Sequence, residues 1–334
     1  MAQEFEALDI RPRGIQISNL SVSYQTQTGD IPAVNGVNMS IAPGKITGII
    51  GESGSGKSTL AMALMNAVPR PGRIMGGSVM VDGIGDMLTI DKKNRRKARG
   101  RHIAFVFQAS QNSLNPLRRV GSQVMDLGRS HNVKDLRALI QRAKELLGQM
   151  GLDADRVLMS YQHELSGGMR QRVGIMLALV LDAQVVILDE PTTALDMISQ
   201  ASVLEIVRNI QEERRLTTIL ISHDMGVVAD LADYVAVMYA GELAEAGPIE
   251  EVLAHPLHPY TQGLIKAIPR VTGPLDQAVA LAGQPPDLRA LQVSGCLFAS
   301  RCPKRVPSCE ESRPQYEARG VDHYVACFRV NDHD

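Results

Sequence analysis

The sequence predicts an α/β fold, a parallel sheet buried between helices, and three observations predict it. Short aliphatic runs recur at Ile46–Ile50, Ile103–Phe107, Val185–Leu188 and Thr218–Ile221, each followed by a turn containing Gly, Asp or Ser and then by a helical pattern. Runs that are apolar on both faces are what a covered parallel sheet requires. One of the turns, Gly51-Glu-Ser53-Gly54-Ser55-Gly56-Lys57-Ser58-Thr59, joins its strand directly to a helical Leu60-Ala-Met-Ala-Leu-Met, a strand–loop–helix setting suited to phosphate. Composition agrees. Hydrophobic residues make up 44% and charged residues 21% of 334, and with aromatics at 4% and no Trp the core must rest on aliphatic side chains.

In chain order, residues 1–14 are polar, carry Pro12 and Gly14 and keep no period, which predicts a flexible tail. Ile15, Ile17, Leu20, Val22 and Tyr24, and then Val37, Met39 and Ile41, alternate with polar residues across a polar turn, Gln25 to Asp30; this predicts half-buried strands at a sheet edge. Lys92, Lys93, Arg95, Arg96, Lys97, Arg99 and Arg101 form a basic stretch. Without neighbouring aromatics, and with a net charge of −1, it reads as a solvated helix or loop, or else as a contact to lipid headgroups or a partner subunit; no nucleic-acid partner is expected. Between Pro116 and Leu181 no strand pattern occurs, while Leu136, Leu139, Ile140, Leu146 and Leu147 recur at helical spacing, so this stretch reads as a helical insertion. After about residue 255 Pro and Gly punctuate an irregular extension. All four cysteines lie in it, which suggests a separate module. The longest apolar run, Val173 to Leu181, is far short of the ~20 residues that span a bilayer, and the N-terminus has no signal-peptide core, so the chain is expected to be soluble and cytoplasmic.

The glycine-rich turn matches GxxxxGK[ST]. Its glycines let the backbone fold around an anion with N–H groups pointing inward, and the following helix N-terminus adds partial positive charge. Lys57 would reach the β- and γ-phosphates, and the Ser58 hydroxyl would ligate Mg²⁺. The run Val185-Val-Ile-Leu188 delivers Asp189 and Glu190 to a strand end. Two adjacent acids there are costly without a cation. Asp189 is the expected Mg²⁺ partner, and Glu190, on the opposite face by strand alternation, would orient or deprotonate a water. The plainer alternative is that both cap the next helix.

Leu165-Ser166-Gly167-Gly168-Met-Arg-Gln171-Arg172, upstream of Asp189, opens a helical run and resembles the signature motif of ATP-binding-cassette (ABC) ATPases. The rest of that family's set stands in order. Tyr24 resembles the residue that stacks on adenine, Gln108 the Q-loop glutamine that also joins the Mg²⁺ shell, Ala194-Leu195-Asp196 the D-loop, and His223 the switch histidine. Singly, Tyr24 would be an ordinary strand residue and His223 a helix-capping one. The resemblance covers about residues 15–250. It implies a P-loop NTPase (RecA-like) nucleotide-binding domain at 15–255, with an antiparallel β subdomain and a helical subdomain at about 109–182. ATP would be bound by Tyr24, by Gly51, Ser53, Gly54, Ser55, Gly56, Lys57, Ser58 and Thr59, by Gln108 and Asp189, and by Ser166, Gly167 and Gly168 from a head-to-tail partner. Lys57, Glu190 and His223 would be catalytic. The polar stretch Ala109 to Leu117 would dock a membrane partner.

His255-Pro-Leu-His258-Pro259-Tyr260-Thr261 and the block that follows resemble the C-terminal extension of the oligopeptide/dipeptide branch, here 256–334. Metal ligation by His255 and His258 is not expected, because the prolines dictate an extended turn. Cys296, Cys302, Cys309 and Cys327 are spaced C-x5-C-x6-C-x17-C. Disulfides do not suit a reducing cytoplasm, and four thiolates from an irregular loop suit an iron–sulfur cluster such as [4Fe–4S]; zinc and plain structural thiols are the alternatives. The resemblance implies an ATPase of an importer for peptides or a related small solute. Its partners would be a second, similar ATPase subunit in a heterodimer, two integral-membrane permeases and an extracytoplasmic solute-binding protein, and it would sit peripherally on the cytoplasmic side of the membrane. The alternative is a non-transport cassette of the carbon–phosphorus lyase or iron–sulfur assembly type.

Overall fold

The structure, a computed structural model, describes residues 11–27, 29–108, 114–193, 195–268, 281–288 and 294–329. Strands β1 (Ile15–Thr26) and β2 (Gly29–Ile41) form a hairpin, followed by β3 (Ile46–Ile50), α1 (Lys57–Leu64), β4 (Gly72–Val81), β5 (Gly85–Asp86), α2 (Lys92–Arg101) and β6 (Ile103–Val106). Helices α3 (Val120–Ser130), α4 (Leu136–Gln149), α5 (Ala154–Met159) and α6 (Gly167–Leu179) come next. The chain then alternates through β7 (Val185–Asp189), α7 (Met197–Arg214), β8 (Thr217–Ser222), α8 (Met225–Leu231), β9 (Tyr234–Tyr239), β10 (Glu242–Pro248), α9 (Ile249–Ala254) and α10 (Pro259–Lys266). The last elements are α11 (Ser308–Glu311), β11 (Glu317–Ala318) and β12 (Tyr324–Val325).

Two sheets result. The larger has the order β11-β12-β10-β9-β3-β8-β7-β6. From β9 to β6 its neighbours run parallel, while β10, β12 and β11 add on antiparallel. Its central strands are buried throughout, as β3 and β7 illustrate. Their side chains alternate between two cores. Ile49, Ile187, Ile219 and Ala236 face α1 and the smaller sheet, whereas Ile50, Leu188, Leu220 and Val237 face the cluster built with α3 to α8. No helix among the described residues is long and apolar enough to cross a membrane.

The alternating strands of residues 15–41 lie in the expected antiparallel subdomain, a separate sheet of order β2-β1-β4-β5 in which β2 is an edge strand and β1 is paired on both sides. Its apolar face packs on α1 and on the Ile49, Ile187 and Ile219 face of the larger sheet. Three expectations need correction. Arg13 and Gly14, read as the end of a loose tail, are anchored, Arg13 Nε donating to Gln184 Oε1 at 3.2 Å and Gly14 N–H to Asp82 Oδ2 at 2.8 Å. The C-terminal extension is not a separate module among the described residues, because β12 completes the free edge of β10 and Phe298 and Tyr260 are buried in the main core. Lastly, the turn at His258-Pro259 is a helix start. His258 is the N-cap of α10, its Nδ1 accepting from Tyr260 N–H at 3.0 Å, and Pro259 occupies the first helical position, where it costs no hydrogen bond. The basic stretch is α2, capped by Asp91 and mostly exposed.

Candidate nucleotide site

The site lies at the C-terminal ends of β3, β6, β7 and β8, where open α/β sheets place their ligands. After β3 the chain enters the glycine-rich loop. Two of its glycines are required by geometry. Gly51 has φ 152 and Gly56 φ 102, and a Cβ would stand 2.2 Å from Met238 O at the first and 2.2 Å from Ala33 O at the second. Gly56 is the N-cap of α1, so the loop's N–H groups and the helix N-terminus meet at one place.

Lys57 begins α1 and is 5% exposed. Its Nζ donates to Gly51 O at 2.7 Å and Glu52 O at 2.9 Å, with Ser55 Oγ at 3.5 Å. Burial lowers its pKa, while the carboxylates of Glu190, Asp189 and Glu52 pull it back up. Ser58 Oγ donates to Asp189 Oδ1 at 3.0 Å. Burial raises the pKa of Asp189; the Ser58 hydrogen bond opposes this, and the Glu190 charge adds to it. A buried carboxylate beside a second one, bonded to a hydroxyl, is a donor set that fits a divalent cation. Tyr24, on β1, brings its phenol to 3.3 Å from Thr59 Oγ1. Ser53, Gly54 and Ser55 border a cavity of about 260 Å³ together with Tyr239 and Pro285 to Leu288 of the extension.

Glu190 departs from the expectation of strand alternation. β7 stops at Asp189, and Glu190 turns into the left-handed region at φ 47, a conformation that costs about 1 kcal/mol or more for a non-glycine residue. The turn aims its carboxylate along the sheet edge. Oε2 accepts from Gln108 Nε2 at 2.7 Å and Thr193 Oγ1 at 2.9 Å, and Oε1 lies 3.3 Å from His223 Nδ1. Gln108, Glu190 and His223 are thus brought together from the ends of three neighbouring strands. Gln108 is bonded to Glu190 rather than to Ser58 or Asp189.

Ser166 is the N-cap of α6, its Oγ accepting from Met169 N–H at 3.3 Å. Gly167 and Gly168 face Leu195 and Ser199 at the start of α7, where Asp196 is the N-cap. Among the described residues no hydrogen bond joins Ser166 to the Lys57 loop. Ala194 and residues 109–113 of the expected docking stretch lie outside the described residues. Sequence reasoning missed Thr193, Glu52 and Arg301. Thr193 had a faint signal in its position three residues after Glu190; the pair Glu52 and Arg301 had none, being 249 residues apart.

The four cysteines are free thiols, Cys309 buried and the others half-buried. Burial pushes Cys296 up to about 11 and also raises Cys302 and Cys327, and the charge of neighbouring cysteines adds to each. With their pKa values raised, these thiols stay protonated and neutral near pH 7. Among the described residues no three His, Cys, Asp or Glu side chains are grouped so as to hold a metal ion.

The ABC transporter family matches residues 34–193, and the C-terminal region of the oligopeptide/dipeptide transporter family matches residues 244–309. The chain is 40% identical over 314 residues to the dipeptide transport ATP-binding protein DppD of Caldanaerobacter subterraneus, covering 94% of this chain and 96% of that one. It is 37% identical over 316 residues to the oligopeptide transport ATP-binding protein AppD of Bacillus subtilis, again covering 94% and 96%. Among solved structures, the dimeric post-hydrolysis state of an ATP-binding cassette with ADP and Pi superposes with a TM-score of 0.60 at 28% identity, over 70% of this chain and 98% of that one. The loop, the signature helix and the strand-end cluster are therefore those of a known architecture, and the chain belongs to the ABC transporter ATP-binding proteins, in the branch that carries the oligopeptide/dipeptide C-terminal region.

Proposed function

We propose that the chain is the ATP-hydrolysing motor subunit of an importer for dipeptides, oligopeptides or a related small solute. The observation that carries the reading is the convergence of Gln108, Thr193 and His223 on the Glu190 carboxylate beside the Lys57 loop. The peptide-branch C-terminal region, and relatives named for dipeptide and oligopeptide transport, favour import over a non-transport cassette.

Adenine would lie at Tyr24 and the phosphates within Gly51 to Ser58. Lys57, bonded to Gly51 O and Glu52 O, would exchange those carbonyls for β- and γ-phosphate oxygens. Ser58 and Asp189 would hold Mg²⁺, which when bound neutralises charge on the phosphates; Gln108 would have to leave Glu190 to join them. Glu190 accepts the proton of the attacking water while Gln108 and Thr193 fix its carboxylate, and His223 hydrogen-bonds the transferred phosphoryl group. Ser166 with Gly167 and Gly168 is a second anion cradle on the same chain. It would close on ATP held by the partner's loop in a head-to-tail dimer, an arrangement supported by the similar cassette that is dimeric with ADP and Pi bound.

The layout that follows is a cassette at 15–255 with its helical subdomain at about 109–182, and the extension at 256–334. The partners are a second ATPase subunit in a heterodimer, two membrane permeases and a solute-binding protein, with the chain peripheral on the cytoplasmic face. Cys296, Cys302, Cys309 and Cys327 would ligate an iron–sulfur cluster of the [4Fe–4S] type, a reading that rests on ligand number alone, since the described residues do not group these free thiols as a metal site. Iron and sulfide analysis after anaerobic purification tests it; metal-free protein with full activity removes it. The transport reading is tested in proteoliposomes holding the whole complex. Peptide uptake should require ATP and be abolished by Ser166→Arg, which should block the partner's site while leaving ATP binding at this chain's own loop. Uptake that survives the substitution contradicts the shared-site arrangement.

A further inference from the structure

The phosphate loop is gripped by the C-terminal extension. Glu52, the loop's second residue, is held at three points. Its backbone N–H donates to Tyr260 Oη at 2.9 Å. Its carboxylate receives both arms of the Arg301 guanidinium, Nη1 to Oε2 at 2.6 Å and Nη2 to Oε1 at 2.9 Å. Its carbonyl oxygen accepts from Lys57 Nζ. The arginine is itself immobilised, with a side chain 4% exposed. Its Nε donates to Ala282 O at 2.9 Å, Nη1 also reaches Tyr239 Oη at 3.3 Å, and the guanidinium lies 5.8 Å from the ring centres of Tyr239 and Phe298. A planar fork on a carboxylate fixes orientation as well as charge, so the pair works as a clamp.

We propose that Arg301 and Tyr260 are positioning residues of the ATP site: acting through Glu52, they hold the loop in the shape in which its N–H groups and Lys57 meet the phosphates. The inference rests on the nucleotide reading of the loop. A backbone that must wrap an anion loses affinity to the cost of ordering unless it is already ordered, and the clamp does the ordering in advance. It also makes the segment that carries Cys302, the residue after Arg301, a mechanical part of the nucleotide site.

Charge alone and positioning predict opposite results for one substitution. Glu52→Ala removes a negative charge beside the phosphates, so electrostatics alone would tighten MgATP binding, whereas loss of the clamp weakens it. The experiment measures MgATP affinity of the full chain by calorimetry, and KM and kcat in the assembled complex. Arg301→Ala and Glu52→Ala are each expected to weaken binding about tenfold, the scale of one hydrogen bond to a charged group. The double variant should be no worse than either single one, Arg301→Lys should recover part of the loss, and the change should fall on KM rather than kcat. Tyr260→Phe, which removes one hydroxyl, should weaken binding severalfold with thermal stability unchanged, and so covers the case in which Arg301→Ala fails to fold. Unchanged affinity in Arg301→Ala and Tyr260→Phe, or tighter binding in Glu52→Ala, overturns the proposal. Lys57→Ala separates the two claims. If it binds MgATP as the wild type does, the nucleotide reading fails; if it loses binding while Arg301→Ala does not, only the clamp fails.

Discussion

Replacing Glu190 by Gln isolates proton acceptance from everything else the residue does. The carboxylate has two donors on Oε2, Gln108 at 2.7 Å and Thr193 at 2.9 Å, and His223 Nδ1 at 3.3 Å from Oε1. A glutamine has the same shape. Its amide oxygen can keep both bonds on the Oε2 side, and its NH₂ can face the imidazole nitrogen, so the ground-state network survives. What disappears is a group able to take a proton. General-base catalysis contributes about 10²–10⁴-fold, or about 3–5 kcal/mol of barrier. The expected result in a phosphate-release assay at saturating MgATP is a fall in kcat of that size, with ATP affinity kept and a closed dimer accumulating. Glu190→Ala, which also strips Gln108 and Thr193 of their acceptor, should be no more active and should bind ATP less well. A fall in kcat of less than about tenfold, or a parallel loss of affinity in the Gln variant, would refute the assignment of Glu190 as the base.

Three further outcomes follow from the geometry. Gly56→Ala places a Cβ 2.2 Å from Ala33 O at a φ of 102 and should abolish MgATP binding, measured by calorimetry; retained affinity would show that the loop adapts. Phe298, 2% exposed and edge-on to Tyr239 at 5.2 Å, should cost about 3–5 kcal/mol when truncated to Ala, read from urea unfolding; a cost below about 1 kcal/mol would mean that the extension is not integral to the core. His258 is buried and neutral, its pKa lowered to about 4 from the usual 6.5, chiefly by burial. Between these values the unfolded chain binds the proton and the folded chain does not. The stability from the neutral cap is therefore complete above pH 6.5 and is lost as pH falls to about 4, by about 3 kcal/mol in all. His258→Asn, which keeps a cap acceptor on α10, should remove that part of the pH dependence, and an unchanged slope would contradict the attribution.

The candidate site was legible where chemistry demands particular residues at fixed spacing. The glycines, Lys57 and Ser58 sit in one short stretch, and Asp189, Gln108 and His223 each close an aliphatic run whose burial is itself readable. Other features carried no such pattern. β4 contains Gly72, Gly76 and Gly77, which interrupt its alternation, so the third strand of the small sheet was invisible and its neighbours read as an edge. β9, Tyr234–Tyr239, is an apolar run but ends in no diagnostic residue. Glu190 left the expected face because backbone torsion at a strand end is a tertiary outcome. The extension read as irregular because its prolines mark local turns, while its order comes from distant partners. Glu245, fully buried on β10, accepts from Leu257 N–H at 2.8 Å and His258 N–H at 2.9 Å and pairs with His323 at 2.8 Å, and none of these ties has a local signature.

The central claim is that one chain supplies the Lys57 loop and its partner the Ser166 cradle, so that no single chain completes a site. The most direct measurement is ATP turnover per chain in fractions resolved by sedimentation, with Glu190→Gln as the blank. Turnover should travel with the dimer and vanish from the monomer fraction on dilution. A monomer fraction that hydrolyses ATP at the dimer's rate per chain would contradict the account.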